Sequence, residues 1–329
     1  MNRLGRRTVV AIPLSLMFAL LLIAPWGNAK PAAVLAQAST GTPIDWGVVD
    51  NAMGKAGAMQ PGNVYRYTFP RTDLLVTTQG VALKPAFALG GHVEMMQVGD
   101  NNAMFMGDLV LTQDEVSPVL LKLQQGGIDL AALHNHLLGE TPRIMYLHVS
   151  GHGDPVQVAG AIHDALSLSK TPFTAPAAPA TSDVGLDTAQ IDQILGYSGK
   201  ANGAVYQFSI PRAEKIVDSV MSAGQMGNMN PSAMEIPPAM GVATAINFQA
   251  TDTGRAAITG DFVLLGSEVG PVSEALRANG IDVTAVHSHG LTETPRLIYL
   301  HFFANDEPAK LATGLRAALD ATNSAKPTA

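Results

Sequence analysis

The chain of 329 residues contains no cysteine. This absence excludes disulfide bonds, thiolate metal ligands, a cysteine nucleophile and the lipid-modified cysteine of a lipoprotein. The Gly-x-Ser-x-Gly elbow of many serine hydrolases and the phosphate-binding P-loop are also missing. Any metal ion must therefore be bound by histidine, carboxylate or thioether groups, and metal-assisted chemistry stays open.

Positive charge and long apolar runs are scarce as well. Lysine and arginine number 20 against 27 acidic residues, which gives a formal net charge of -7. Nucleic acid is not an expected partner, because a protein that binds its phosphates carries a broad basic surface. Beyond residue 25 no apolar stretch is long enough to cross a bilayer, so we expect a soluble mature protein without a stable membrane span.

The N-terminal segment has the pattern of a signal peptide. Arg3, Arg6 and Arg7 precede an apolar run over residues 8–25. Small residues then offer cleavage sites after Ala29 or Ala36, which predicts a signal peptide within residues 1–36. An uncleaved anchor is the alternative. We expect an exported protein, located in the periplasm or outside the cell.

The rest of the chain is an internal duplication. With a shift of 153, residues 107–150 align with residues 260–303 without a gap, and 23 of the 44 pairs are identical. We predict a first repeat domain over residues 44–169 and a second over residues 186–322, joined by a linker rich in proline, alanine and threonine over residues 170–183. Such copies are expected to pack as an intramolecular pseudo-dimer about a pseudo-twofold axis.

Each copy is predicted to be an α+β domain of order α-β-β-β-α-β-β-α, with an antiparallel sheet and its helices on one face. Thr112 and Glu115 form a capping box that begins the central helix. In copy one we predict helices at residues 45–55, from 112 to about 125 and 155–168, and strands at residues 64–69, 86–97, 103–111, 128–137 and 143–150.

A repeated histidine pattern is the strongest functional signal. Copy one carries His134, His136 and His148, and copy two carries His287, His289 and His301 at the same spacing. Side chains alternate along a strand, and a turn centred near Glu140 places His134 opposite Tyr146 and His148 opposite Ala132. The three histidines of each copy are thus predicted to share the sheet face that the helices do not cover.

Three neutral imidazoles on one sheet face can bind a divalent ion and leave a fourth position open, as in catalytic zinc sites. Zinc or another divalent transition metal is the predicted cofactor, and copper and iron are chemically suitable too. The alternative is a cluster of hydrogen-bonded, structural histidines. The pattern favours metal binding because it survives a duplication in which half of the aligned positions differ.

Other residues have open roles. Glu140 and Glu293 lie in a repeated Glu-Thr-Pro-Arg turn, as candidate general bases, partners of a ligand histidine, or ion-pair partners of Arg143 and Arg296. Asp108 and Asp261 are expected either to cap a bend or to hold an imidazole. His92 is a candidate fourth metal ligand, whereas His152 and His163 are expected to be structural residues. The methionine-rich stretch, residues 221–240, is expected to be either a loop whose methionines pack on the sheet or a Cu(I) site.

The sequence resembles the DUF1259 (LppY/LpqO-like) family of uncharacterised bacterial exported proteins. The resemblance rests on Met106-Gly-Asp-Leu-Val-Leu-Thr112, Leu133-His-Asn-His136, Thr141-Pro-Arg-Ile-Met-Tyr-Leu-His148 and Gly151-His-Gly-Asp154. It implies the duplicated architecture and no particular activity. Some members resemble lipoproteins, from which this cysteine-free chain departs.

Two functional hypotheses follow from these observations. The first is an exported metal-binding protein, with metal-dependent hydrolysis as its enzymatic form. The second is a non-enzymatic module whose histidine faces bind a small molecule or a component of the cell envelope.

Overall fold

A computed structural model describes residues 42–174, 183–218, 234–252 and 254–326. The predicted signal peptide, most of the predicted linker and the first part of the methionine-rich stretch lie outside these residues. Within the described ranges, no helix has the length and apolar character needed to cross a membrane.

Copy one contains a long antiparallel sheet, three long helices and a short insertion. Its helices are α1 (Trp46–Met53), α2 (Pro85–Ala88), α3 (Gln113–Gln125) and α4 (Pro155–Leu166). Its strands are β1 (Ala58–Gln60), β2 (Val64–Pro70), β3 (Thr77–Thr78), β4 (Val81–Ala82), β5 (Gly90–Gly99), β6 (Asn102–Thr112), β7 (Leu130–His134) and β8 (Ile144–Gly153). The main sheet has the order β1-β2-β5-β6-β8-β7.

Copy two repeats this plan. Its helices are α5 (Thr188–Leu195), α6 (Val269–Ala278) and α7 (Pro308–Asp320), with a 3-10 helix at Pro238–Met240. Its strands are β9 (Lys200–Asn202), β10 (Val205–Pro211), β11 (Val217–Asp218), β12 (Met234–Glu235), β13 (Ala243–Ala250), β14 (Ala256–Leu264), β15 (Asp282–His287), β16 (Glu293–Thr294) and β17 (Ile298–Asp306). The main sheet has the order β15-β17-β14-β13-β10-β9. The α+β class and the duplication are confirmed.

Four hydrophobic clusters define the layers. Two of them lie between each main sheet and the long helices of the same copy. The other two combine residues of both copies, such as Met106 with Tyr299 and Phe87 with Phe303. The faces that the long helices leave uncovered therefore pack against each other, in a helix–sheet–sheet–helix sandwich whose central interface joins the two copies.

The predicted strand at residues 86–97 was wrong over its first part. Pro85–Ala88 forms the helical turn α2, and the strand β5 begins at Gly90. Proline at the first helical position favours such a turn, and the buried Phe87 fixes it against residues of copy two. The packing of Phe87 against copy two leaves no periodic pattern in the sequence of copy one, so the sequence of one repeat does not predict this turn. The predicted strand 128–137 is also too long, since β7 spans Leu130–His134.

The central helix α3 begins as predicted. The Thr112 side chain accepts from the third helical residue, and the Glu115 carboxylate accepts the Thr112 backbone N–H at 2.9 Å. Glu115 also pairs with the fully buried Arg71, at 2.7 Å, and copy two repeats the arrangement with Glu268 and Arg212, again at 2.7 Å. The cap is thus part of a buried ion pair that ties the end of one strand to the start of the helix.

Candidate metal centre

Strand register places the histidines of each copy as the turn length predicts. In copy one His134 lies opposite Tyr146 and His148 opposite Ala132. In copy two His287 lies opposite Tyr299 and His301 opposite Ala285. The second histidine of each His-x-His motif lies just beyond the end of its strand, in the loop that follows.

All six histidines meet in one cluster at the interface between the copies. The rings of His134 and His287 are stacked with their centroids 3.5 Å apart. His136 stacks on His301 at 3.7 Å, and His148 stacks on His289 at 3.9 Å. Exchange of the two copies converts the second pair into the third and returns the first pair to itself. The cluster is therefore centred on the pseudo-twofold axis, with His134 and His287 closest to it.

Hydrogen bonds across the interface hold the two histidine loops together. The Thr284 hydroxyl of copy two donates to the backbone carbonyl of His136 in copy one. The Asn135 side-chain amide donates to the Thr284 carbonyl at 3.4 Å and to the Leu137 carbonyl at 2.8 Å. These bonds fix the loop that carries His136 relative to the copy-two sheet.

An aspartate faces the imidazoles of each copy, buried in copy one and largely buried in copy two. An Asp108 oxygen lies 3.7 Å from His136 Nε2, and its other oxygen lies 3.9 Å from His148 Nε2. The corresponding Asp261 oxygens lie 3.1 Å from His289 Nε2 and 3.8 Å from His301 Nε2. Both aspartates project from the strand that pairs with the histidine strand, so of their two predicted roles the structure favours the one beside an imidazole.

Ring nitrogens with free lone pairs point into the cluster. His301 Nδ1 lies 2.8 Å from the Gly260 carbonyl and His134 Nδ1 lies 2.9 Å from the Asn135 carbonyl, so each of these nitrogens carries the proton. The Nε2 atoms of these two rings are then acceptors when the rings are neutral. His134 Nε2 lies 2.8 Å from His148 Nε2, so it accepts a hydrogen bond from a His148 ring protonated at Nε2, or both nitrogens face a shared cation.

Several buried polar atoms of the cluster lack a hydrogen-bond partner within the described part of the chain. They are Asp108 Oδ1, Asp261 Oδ1, His136 Nε2, His287 Nδ1, His287 Nε2, His289 Nε2 and His301 Nε2. Such groups are rare in native proteins, since each loses its hydration without compensation. All seven could be satisfied by cations. Groups of three or four donors lie within 4.8 Å of one another, both inside each copy and across the interface.

Burial sets the protonation of the cluster. It lowers the pKa of all six imidazoles, that of His134 to about 4. Burial also raises the pKa of Asp108 to about 7 and that of Asp261 to about 6. The imidazoles are therefore neutral at pH 7, the form that binds metal.

We expect the metal-free protein to lose stability as the pH falls from 7.5 to 5. Histidines in the unfolded chain take up protons below about pH 6.5, whereas the buried ones do not, so their contribution is lost as pH falls toward the folded pKa. Asp108 and Asp261 act oppositely, since their raised pKa stabilises the fold at low pH and that contribution is lost as pH rises. The six imidazoles have a larger effect on stability than the two carboxyls. His134 alone is expected to lower the free energy of unfolding by about 2 kcal/mol at pH 5. Denaturant unfolding of chelator-treated protein measures this, and a flat profile would contradict it.

The structure places the candidate general bases in their turns and not against the histidines. Glu293 pairs with Arg296 at 3.2 Å and accepts the Leu297 N–H at 3.1 Å. Glu140 accepts the Ile144 N–H at 3.4 Å. In the described residues neither carboxylate has a hydrogen bond or ion pair to an imidazole, so the structure gives no support to a role as general base.

His92 borders the cluster, since it lies opposite Asp108 in the neighbouring strand, whereas His152 and His163 have partners elsewhere. His92 pairs with the buried Glu94, which also pairs with Arg66 at 2.9 Å. His152 reaches Asp218 of copy two at 2.9 Å, and His163 lies 3.6 Å from Asp164 on α4. The methionine-rich stretch is described only from Met234 onward, where Met234 and Met240 pack in a mixed hydrophobic cluster.

Comparison with known proteins agrees with the duplication. The family described as Domain of Unknown Function (DUF1259) matches residues 47–168 and again residues 189–321. No curated protein matches the chain significantly.

Two solved structures show weak similarity. One is a trimeric bacterial microcompartment shell protein, PduB, with 14% identity, 82% of this chain and 96% of that chain covered, and a TM-score of 0.20. The other is EtuB from Clostridium kluyveri, with 9% identity, coverage of 80% and 88%, and a TM-score of 0.19. TM-scores this low do not establish a shared fold.

Proposed function

We propose that this chain, which belongs to the DUF1259 family in two tandem copies, binds divalent transition metal at the histidine cluster between its repeats. The observation that carries the proposal is the convergence of unpartnered imidazole and carboxylate atoms on the pseudo-twofold axis. A structural histidine cluster would pair these atoms with one another or with the backbone. Here seven buried imidazole and carboxylate atoms have no hydrogen-bond partner among the described residues, and bound cations would supply one.

The cluster offers two sets of donors that share no residue. Copy two supplies Asp261, His287, His289 and His301, and copy one supplies Asp108, His136 and His148. His134 completes the second set by symmetry, since it is the counterpart of His287. We therefore propose two ions, each bound by three imidazoles and one carboxylate, in adjoining sites. Zinc suits this donor set, and copper(II) or iron(II) accept similar ligands.

A titration with cobalt(II) tests this proposal. Chelator-treated protein should take up two equivalents, and the visible absorption should have the high intensity that is typical of tetrahedral cobalt. Asp261→Asn should weaken uptake, because an amide replaces a charged ligand. A weak, octahedral-type spectrum that grows without saturation would contradict the proposal, since it indicates scattered surface binding.

The enzymatic activity that we propose for this metal site is hydrolysis. The three imidazoles of one copy would hold such an ion, which would supply Lewis-acid activation of a water molecule. The carboxylate of Asp108 or Asp261, which faces these imidazoles, would then accept the proton. Hydrolysis of p-nitrophenyl acetate by zinc-loaded protein, compared with chelator-treated protein and with Asp108→Asn, tests this activity. Equal rates in the loaded and stripped protein would restrict the function to binding.

We also propose that the protein acts after export, on the basis of the basic and apolar residues 1–25. The intact mass of the protein from its native host should correspond to a chain that begins after Ala29 or Ala36. A full-length mass in the cytosolic fraction would contradict export.

A further inference from the structure

A cleft of about 220 Å3 lies beside the histidine cluster, at the interface between the copies. Copy one contributes residues of β6 and β8, including Met104, Ser150 and His152. Copy two contributes the turn that contains Gly290 and Glu293, together with Asp218 and Tyr299. The ring of Tyr299 separates the cleft from the cluster, because it stacks on His289 at 3.5 Å.

The duplication explains why the cleft exists on one side only. At the pseudo-symmetric position the same interface is filled by a hydrophobic cluster that contains Leu137, Phe303 and the Phe87 of the inserted turn α2. The aligned counterpart of Leu137 is Gly290, and that of Phe303 is Ser150. Two large apolar side chains in one half are thus replaced by a glycine and a serine in the other, which opens a space where the symmetric interface is packed.

A buried carboxylate oxygen in this cleft has no partner. Glu293 is 8% exposed, and its Oε1 atom accepts from Leu297 and Arg296. Its Oε2 atom is buried and has no hydrogen-bond partner among the described residues. This oxygen lies over Gly290, where an added Cβ would come within 2.4 Å of it. One oxygen of this carboxylate is therefore held at the cleft without the donor that its burial requires.

The rest of the lining selects the kind of donor. Three carboxylates line the cleft, from Asp129, Asp218 and Glu293, and no lysine or arginine is among its described lining residues. His152 contacts Asp218 at 2.9 Å and so offsets part of this charge. The lining also contains apolar side chains, among them Met104, Met106 and Val242. A ligand that fits both parts carries a positive donor at one end and an aliphatic chain at the other.

We propose that this cleft binds a small aliphatic amine, with its ammonium group on Glu293 Oε2 and its methylene chain along the methionines. The binding does not need a metal in the histidine cluster. It therefore stands or falls separately from the proposed function, and chelator-treated protein is suitable for its test.

Calorimetric titration with 1,4-diaminobutane tests the proposal, with 1,4-butanediol and glucose as uncharged comparisons. We expect the diamine to bind and the isosteric diol to bind roughly tenfold or more weakly, since a charge-assisted hydrogen bond is lost. Glu293→Gln should weaken diamine binding to a similar degree, whereas Glu140→Gln, its counterpart in copy one, should leave it unchanged.

Ser150→Phe provides a second variant that does not touch the carboxylate. It restores the residue found at the filled counterpart and should abolish diamine binding, while metal uptake and the melting temperature stay near those of the wild type. Equal binding of diamine and diol, undiminished diamine binding by Glu293→Gln or Ser150→Phe, or binding of glucose instead of the amine would overturn the proposal.

Discussion

His148→Ala is expected to remove metal from both halves of the cluster and not from copy one alone. The His148 ring stacks on His289 of copy two at 3.9 Å, and its Nε2 lies 2.8 Å from that of His134. It belongs to one donor group within copy one and to another that includes His287. Loss of this ring removes a ligand of the copy-one ion and also the stacking partner of His289, a ligand of the copy-two ion, so we expect both ions to be lost.

For each variant, the effect is measured as the difference between its thermal stability with zinc and its thermal stability with chelator. This comparison cancels the cost of the cavity that alanine leaves in a buried site. A ligand present at a hundred times its Kd stabilises the folded state by about 2.7 kcal/mol per site. Wild-type protein should show this stabilisation, and His148→Ala should show almost none.

His163→Ala is the matched control for this experiment. Its side chain is 39% exposed on α4, outside the cluster, and its loss should leave the zinc-dependent stabilisation unchanged. If His148→Ala keeps half of the bound metal, the two copies bind their ions independently and the joint centre is wrong.

Arg71→Ala is expected to destabilise the protein by about 3–5 kcal/mol, the usual result when one partner of a buried ion pair is removed. Arg71 is fully buried and contacts Glu115 at 2.7 Å, Asp73 at 2.8 Å and the Val110 carbonyl at 2.7 Å. Its removal leaves the Glu115 carboxylate, which also caps α3, without its positive partner.

Denaturant unfolding with chelator present measures this loss without a contribution from metal. Arg143→Ala is the control, because Arg143 is exposed, and it should change stability by less than about 0.5 kcal/mol. The double variant Arg71→Ala/Glu115→Ala should be less unstable than the sum of the two single changes. Additive losses, or a loss below about 1 kcal/mol in Arg71→Ala, would show that the pair contributes little.

Local features of the fold could be predicted because one copy contains the information for them. The capping box at Thr112 and the pairing of His134 with Tyr146 depend on nearby residues and on the length of one turn. Alternation along the strand then places the three histidines of a copy on one sheet face. The duplication supplies a second sequence with the same pattern.

The contacts between copies could not be predicted in the same way. The stacking of His136 on His301 depends on how two sheets pack face to face, and this packing depends on residues far apart in the sequence. The turn at Phe87 is a further example, since its partners Val205 and Phe303 lie in the other copy. Asp108 and Asp261 carried a signal, the repeated Gly-Asp pair, but only the strand register shows that they face the imidazoles.

A shared metal centre would also explain why two copies remain in one chain. Neither set of ligands is isolated from the other, since rings of the two copies stack in three pairs. Ions bound there would hold the two sheets together at the centre of the sandwich. The metal-free protein is then expected to be most weakened at the interface between the copies.

Elemental analysis of protein purified without a histidine tag tests the central claim most directly. We predict about two equivalents of a divalent transition metal per chain, retained through gel filtration at neutral pH and lost on treatment with chelator. Less than a tenth of an equivalent, in protein that also fails to take up metal at micromolar concentration and whose melting temperature is unaffected by chelator, would contradict the account. The six histidines would then form a structural cluster.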